Sequence, residues 1–455
     1  MTRPPQSRGT VLAAVAALAA VVTLVSTAIL LGTSAGTTGT AGAAGGRVGG
    51  PLASVRTKGA SPPPAPAGTW TGTWAAAPAA AEPRTGRRGL AGTSVRNVVH
   101  TSVGGTGVRV QLSNLFGNRP LHIGHASVAV AARPGAAAAA PGSMRRLTFG
   151  GRPATVVPAG RATVSDPVPL PVAPASGLLV TVFSAVPSGP VTLHPHARQL
   201  SWLARGDRTE DGDGARYTTR TAYWRYVTAV DVRGTEAAGS VVALGDSITD
   251  GVTSTVGADQ RWTDHLAARL REEPGAPRYG VLNEGISGNR ILLSNRGRSP
   301  ANNPSALDRF DRDVLGRTGV RAVVIELGVN DILRRPQQLD PRRIVAGLRQ
   351  LVARAHEHGL PVLGSTLTPF GGHLGVVPRQ ETVRLAVNAE IRAGRVFDSV
   401  VDFDRVLRDP ADPQRLLPAY DSGDRLHPND AGYRRMAGAV DLGVLGGSLR
   451  VGPGL

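Results

Sequence analysis

Serine, histidine and aspartate are the side chains from which a protein builds a nucleophile that works near neutral pH, and this chain holds a spaced set of them. Ser247 lies in Gly245-Asp246-Ser247-Ile248-Thr249-Asp250-Gly251, directly behind the apolar run Val241 to Leu244. Four apolar residues bounded by Gly and Asp read as a short strand buried on both faces, as in a parallel sheet. A serine on the tight turn leaving such a strand is exposed while its backbone is held rigidly. That suits a hydroxyl that must meet a carbonyl at a fixed distance and angle. Gly-Asp-Ser is also ordinary turn chemistry, so this stretch alone leaves both readings open. Three later stretches decide between them. Asn283-Glu284-Gly285-Ile286-Ser287-Gly288-Asn289 follows the apolar Tyr279 to Leu282. Gly328-Val329-Asn330-Asp331 follows Ala322 to Leu327, and Asp424-Arg425-Leu426-His427-Pro428 comes after a strand candidate at Val400 to Phe403.

In that order and spacing the four blocks resemble the SGNH branch of the GDSL esterases and lipases. The family's serine matches Ser247, its glycine Gly288, its asparagine Asn330, and its histidine His427, with Asp424 three residues before it. Ile248 stands where the family usually has leucine, which leaves the chemistry untouched. The resemblance covers roughly residues 239 to 440 and implies a reaction class rather than a substrate. Each role has a chemical reason. A serine hydroxyl is a poor nucleophile until a base takes its proton, and His427 is that base. Asp424 accepts from the other ring nitrogen, fixing the tautomer and stabilising the imidazolium. The tetrahedral oxyanion is expected to be held by the backbone N–H groups of Ser247 and Gly288 and the side-chain amide of Asn330. No cofactor or metal is required.

The elements that must position these residues follow from the pattern beyond Gly239. Thr263 to Arg271 reads as a helix. Asp340-Pro341 opens another, with Asp as N-cap and Pro at the first helical position, and Gly359 closes it. Pro361 to Thr366 is the next strand, Glu381 to Arg392 the next helix, Val400 to Phe403 the last strand and Asn429 to Val440 the final helix. Strands separated by helices imply right-handed crossovers and a parallel sheet covered on both faces. The fold expected for residues 239–455 is thus a flavodoxin-like three-layer α/β/α hydrolase domain. In such a sheet the strand C-termini emerge on one edge, where ligands bind.

Residues 70–238 read differently. Short alternating runs with turn punctuation and no helical periodicity suggest an all-β accessory domain, a sandwich of jelly-roll type. Val95 to Thr101, a Gly-rich turn and Val108 to Leu112 read as a hairpin. Other strand candidates are Ala126 to Ala131, Ala162 to Val164, Leu178 to Phe183 and Thr221 to Val227. The Gly72 to Ala75 stretch looks like the start of extracellular SGNH enzymes that carry such a domain. Trp70, Trp74, Trp202 and Trp224 could stack on sugar rings, but aromatics in a sandwich more often form its core. His194-Pro195-His196 would aim both imidazoles one way on a strand, yet it lacks a third ligand for a metal.

Residues 1–43 are expected to be a signal peptide or membrane anchor. Arg3 and Arg8 precede the apolar Val11 to Leu31, with a small-x-small cleavage site at Ala41-Gly42-Ala43. The apolar run, at about 1.5 Å per residue, just spans a bilayer of roughly 30 Å, so secretion is favoured and an outward-facing membrane anchor is the alternative. Residues 44–69 form a Gly/Ala/Pro-rich linker. The formal charge of +18 rests on one lysine, Lys58, among 51 basic residues, the rest being scattered arginines. Without a periodic basic face or interleaved aromatics, nucleic acid is not the expected partner. The absence of cysteine excludes disulfides and thiolate metal sites. The leading expectation is a monomeric extracellular serine esterase acting on a small-molecule, lipid or polysaccharide ester, with acetyl or short acyl groups favoured. The alternative is a carbohydrate- or surface-binding protein whose hydrolase half is subsidiary. An intact Ser247, Asn330, Asp424 and His427 set argues against it.

Overall fold

Apolar residues alternate in facing along the central strands of the second half, and that alternation explains its three layers. The computed structural model describes residues 69–294 and 303–448, so the expected export segment and all of the linker but Thr69 lie outside the described residues. Five strands form one parallel sheet: β1 (Gly239–Gly245), β2 (Tyr279–Gly285), β3 (Val320–Glu326), β4 (Val362–Ser365) and β5 (Ser399–Val401), in the order β2-β1-β3-β4-β5. Val241 and Ala243 face a cluster holding Trp262, Leu266 and Leu270 of helix α1 (Trp262–Glu272). Val242 and Leu244 face the opposite cluster, with Ile344, Leu348, Leu351 and Val352 of α2 (Pro341–His356) and Val387 and Ile391 of α3 (Pro378–Arg392). Both faces are therefore covered, as parallel sheets require.

Local signals set the helix starts. Asp340 caps α2 by accepting from the Arg342 N–H at 3.0 Å, with Pro341 at the first helical position. Asn429 caps the last long helix, α4 (Asp430–Ala439), accepting from Gly432 N–H at 3.0 Å. The last strand is shorter than its apolar run. It ends at Val401, because Asp402 accepts from the Arg405 N–H at 3.0 Å and starts a one-turn helix over Phe403–Leu407.

The first half is built of antiparallel strands. One sheet runs Trp70–Ala75, Val227–Arg233, Gly105–Ser113, Val168–Val172, with Ala162–Val164 also on Gly105–Ser113. A second runs Thr219–Thr221, Ser201–Arg205, Thr93–His100, Gly177–Ser184, His125–Val130, Arg145–Arg146. Val95, Val99, Leu178 and Val180 of the second sheet share a core with Val108, Val110, Leu112, Val230 and Val232 of the first. The hairpin expected from Val95 to Leu112 does not form, since its two strands lie in different sheets. The connecting turn is taken by a third strand instead: Ser102 N–H and Ser102 Oγ both donate to the Thr73 carbonyl, at 3.0 and 2.6 Å. That contact passes the chain across the core rather than back alongside itself. Trp74 and Trp224 are buried and meet edge to face with centroids 4.9 Å apart. Trp70 and Trp202 are partly exposed and each lies under an arginine, Arg109 and Arg220 respectively.

The two halves pack directly on one another. Ala75 and Ala229 belong to the same buried cluster as Val242 and Leu282. The Val281 N–H donates to Ser102 Oγ at 2.9 Å, and Arg109 donates to Thr318 Oγ1 at 3.2 Å.

Candidate active site

Ser247 is the first residue of a single helical turn, Ser247–Asp250, that leaves the C-terminal end of β1. Asp246 caps the turn, its Oδ1 accepting from the Ile248 N–H at 3.0 Å. Gly251 then stops it, with φ +87° and its N–H on the Ser247 carbonyl at 3.0 Å. The serine is held rigidly and is 8 % exposed.

The histidine arrives from the loop before α4. Asp424 Oδ1 accepts from the N–H groups of Leu426 and His427, at 3.0 and 2.8 Å, folding the loop around the carboxylate. Its Oδ2 lies 2.5 Å from His427 Nδ1, and His427 Nε2 lies 2.9 Å from Ser247 Oγ. Residues 180 positions apart in sequence thus form one continuous chain of hydrogen bonds. Burial works against ionised Asp424, but the His427 side chain and the backbone N–H groups outweigh it and hold this carboxyl well below the usual range. The carboxylate therefore stays charged and acceptor-only, which places a proton on His427 Nδ1 and leaves Nε2 free to accept from the serine.

Two further segments leave strands β2 and β3 at the same edge of the sheet. Ile286 to Asn289 form a turn closed by the Asn289 N–H on the Ile286 carbonyl at 2.9 Å, with Gly288 at φ +75°. That conformation at the third turn position is the one glycine supplies without strain. A Cβ on Gly288 would lie 2.5 Å from the Arg334 guanidinium carbon, so any side chain there would also have to displace that exposed arginine head. Asn330 sits in the short helix Val329–Leu333 behind β3. Its Oδ1 accepts from Arg334 Nε at 3.0 Å, which turns Nδ2 toward Asp246 Oδ2 at 2.9 Å. Arginine only donates, so this pairing fixes the amide orientation. The backbone N–H groups of Ser247 and Gly288 have no acceptor among the described residues.

Buried carboxyls underlie the site. Asp246 is pushed up to about 6 by burial, against its bonds to Ile248 and Asn330. Asp331, also raised to about 6 by burial, accepts from the N–H groups of Ile291 and Leu292 at 2.8 and 3.1 Å and so braces the segment behind Gly288. Glu326 is raised well above the usual range, first by burial and then by the neighbouring Asp246, and its Oε2 accepts from Thr249 Oγ1 at 2.9 Å.

All five residues expected from the sequence meet at this one edge of the sheet. Sequence reasoning passed over Arg334, Asp250 and Ser287, although each lies within four residues of a residue it named. It weighed His194 only as half of a metal pair, whereas both ring nitrogens have protein partners, Ala77 and Asp250. Among the described residues no group of three or more His, Asp or Glu side chains is arranged to hold a metal.

Comparison with known proteins places the same region in a family. Residues 243–435 match the model of the GDSL-like lipase/acylhydrolase family. None of the curated proteins matches the chain. Similar solved structures include an alpha/beta hydrolase enzyme from the metagenome of Lake Arreo, Spain, 25% identical over 45% of this chain and 94% of that one, TM-score 0.33. A carbohydrate acetylesterase from Sinorhizobium meliloti is 19% identical over 44% and 94%, TM-score 0.33. A GDSL-like lipase from Bacteroides thetaiotaomicron is 18% identical over 44% and 84%, TM-score 0.33.

Proposed function

Since residues 243–435 form a GDSL-like lipase/acylhydrolase domain, and that half of the chain is an ester-bond hydrolase, we propose that the protein is a serine esterase removing acetyl or short acyl groups from an extracellular small-molecule or polysaccharide ester. One observation carries the reading: Ser247 Oγ, the two nitrogens of His427 and the Asp424 carboxylate lie in one hydrogen-bonded line. In the first step Ser247 Oγ attacks the ester carbonyl carbon as its proton passes to His427 Nε2. The carbonyl oxygen becomes an oxyanion, held by the N–H groups of Ser247 and Gly288 and by Asn330 Nδ2. Asp424 stabilises the imidazolium through Nδ1. Collapse breaks the bond to the alcohol, which leaves with the proton from His427, and the acyl group stays on Ser247. Water, deprotonated by the same histidine, then releases the acid and regenerates the serine.

Small acyl groups are favoured by openness. The Asp424 side chain is 40 % exposed and that of His427 13 %, so the site lies near the surface, and on this reading a shallow site suits a short acyl group. Export is proposed from Arg3, Arg8 and the Val11 to Leu31 run, and full-length chain found only in the cytoplasmic fraction of producing cells would end that idea. The esterase reading is tested by hydrolysis of p-nitrophenyl acetate and longer acyl esters, beside acetate release from acetylated xylan. Wild type is expected to favour acetate and Ser247→Ala to be inactive. Equal rates for the two chains would overturn the assignment.

A further inference from the structure

Asp250 closes the helical turn that begins with Ser247, yet its carboxylate faces away from the serine and is 2 % exposed. One oxygen, Oδ2, accepts from both the N–H and the hydroxyl of Ser287, at 2.9 and 2.8 Å. Ser287 is the second residue of the turn that ends in Gly288 and Asn289, so the carboxylate grips the backbone just ahead of the Gly288 N–H. The other oxygen, Oδ1, meets His194 Nε2 at 2.9 Å. His194 comes from the first half of the chain, at the end of the Thr192–His194 strand. Its Nδ1 donates to the Ala77 carbonyl at 2.9 Å, and its ring packs 5.4 Å from that of Trp224.

Both nitrogens of His194 face groups that accept, so both carry protons and the ring is a cation. Burial and the nearby Arg261 cation oppose that charge, but Asp250 and the Ala77 carbonyl outweigh them and raise the histidine, while the histidine in turn holds Asp250 low. A buried ion pair of this kind is satisfied at every position: two serine donors and one imidazolium on the carboxylate, and a carbonyl on the far side of the ring. Arg261 adds a bond from its Nε to the Asp250 carbonyl at 3.2 Å and lies over Trp224. The arrangement links three segments: the turn carrying Ser247, the turn carrying Gly288 and a strand of the β half.

We propose that His194 is a positioning residue for ester cleavage, holding Asp250 so that the Ile286 to Asn289 turn presents the Gly288 N–H to the developing oxyanion. The β half on this view supplies part of the active site's rigidity rather than an appended module. The inference rests on the esterase reading of Ser247, and deepens it.

The test uses the full chain, with p-nitrophenyl acetate as substrate and Ser247→Ala as control. His194→Leu leaves the Asp250 carboxylate without its cation, and is expected to lower kcat about 10- to 100-fold with KM nearly unchanged, the scale of a small misplacement of a reacting group. His194→Gln, whose amide still donates to Asp250, should recover much of that loss. Ser287→Ala removes the hydroxyl bond at the turn and should lower kcat in wild type but much less in the His194→Leu background, because the grip is already lost there. If His194 serves stability alone, His194→Leu will melt lower yet keep its kcat well below the melting temperature, and that result overturns the inference. Should His194→Leu not fold, unchanged kcat in both His194→Gln and Ser287→Ala overturns it equally. A Ser247→Ala chain as active as wild type would overturn the esterase reading itself, so the two failures are separable.

Discussion

Replacing Asn330 by alanine separates a group that stabilises the transition state from one that only braces the fold. The side chain has two attachments: Nδ2 donates to Asp246 Oδ2 at 2.9 Å, and Oδ1 accepts from Arg334 Nε at 3.0 Å. Arg334 is exposed and finds water when its partner is gone, but Asp246 is 1 % exposed and does not. Losing a donor to a buried acceptor costs about 1–3 kcal/mol, and each kcal/mol lowers the melting temperature of a unit this large by about 2–4 °C at most. The kinetic effect is separate. On the proposed mechanism Asn330 is one of three oxyanion donors, and losing one such donor costs on the order of 10²- to 10³-fold in kcat, about 3–4 kcal/mol, with KM little changed because the charge exists only in the transition state. Two donors remain on the backbones of Ser247 and Gly288, so measurable turnover should survive, above that of Ser247→Ala. Steady-state kinetics and thermal melting on the same purified chain decide the matter. A variant that melts several degrees lower and turns over at the wild-type rate would refute the oxyanion role.

Three further outcomes are expected. Asp424→Asn keeps an acceptor for the Leu426 and His427 N–H groups but loses the charge that orients His427, so kcat should fall about 10²- to 10⁴-fold with a small change in melting. Gly288→Ala forces an alanine to φ +75° against Arg334. It should lower stability by roughly 1–2 kcal/mol and kcat by more than stability alone explains, whereas unchanged kinetics would separate the turn from the chemistry. Glu326→Gln tests the buried acid behind the serine. Burial holds this carboxyl's folded-state pKa well above its unfolded value, so its proton stabilises the fold at acid pH and that contribution is lost as pH rises through the folded value. The glutamine variant should melt near wild type at acid pH, below the ordinary carboxyl value of 4.5, and lose less stability than wild type as pH rises from there through neutral, and pH-stability curves parallel over that range would count against a protonated Glu326.

The catalytic half was legible because its signals are local. Each strand is a run of apolar residues bounded by turn chemistry, Asp340 and Asn429 cap the starts of two of the helices, and the residues of the site sit just beyond strand ends. Boundaries slipped where a polar side chain outbid the apolar run, as when Asp402 turned the end of the last strand into a helical turn. The β half was legible as strands and not as sheets. Alternation shows which residues of Val95 to Thr101 and Val108 to Leu112 face a core, but the same pattern fits neighbours in one sheet and partners across two. Here bonds from Ser102 to Thr73 chose the second arrangement. The contact of His194 with Asp250 spans 56 residues and two halves of the fold, and no local pattern announces it. A histidine next to a proline in a strand reads the same whether its partner is a carboxylate, a carbonyl or solvent.

The central claim is that Ser247 becomes covalently acylated with His427 as its base, and mass spectrometry of a trapped adduct tests it most directly. The full chain treated with a fluorophosphonate and digested should carry the phosphonyl group on the peptide that holds Ser247, in step with loss of p-nitrophenyl acetate hydrolysis. His427→Ala should slow that labelling by orders of magnitude. A fully inactivated chain with the adduct on another residue, or with Ser247 unmodified, would contradict the account.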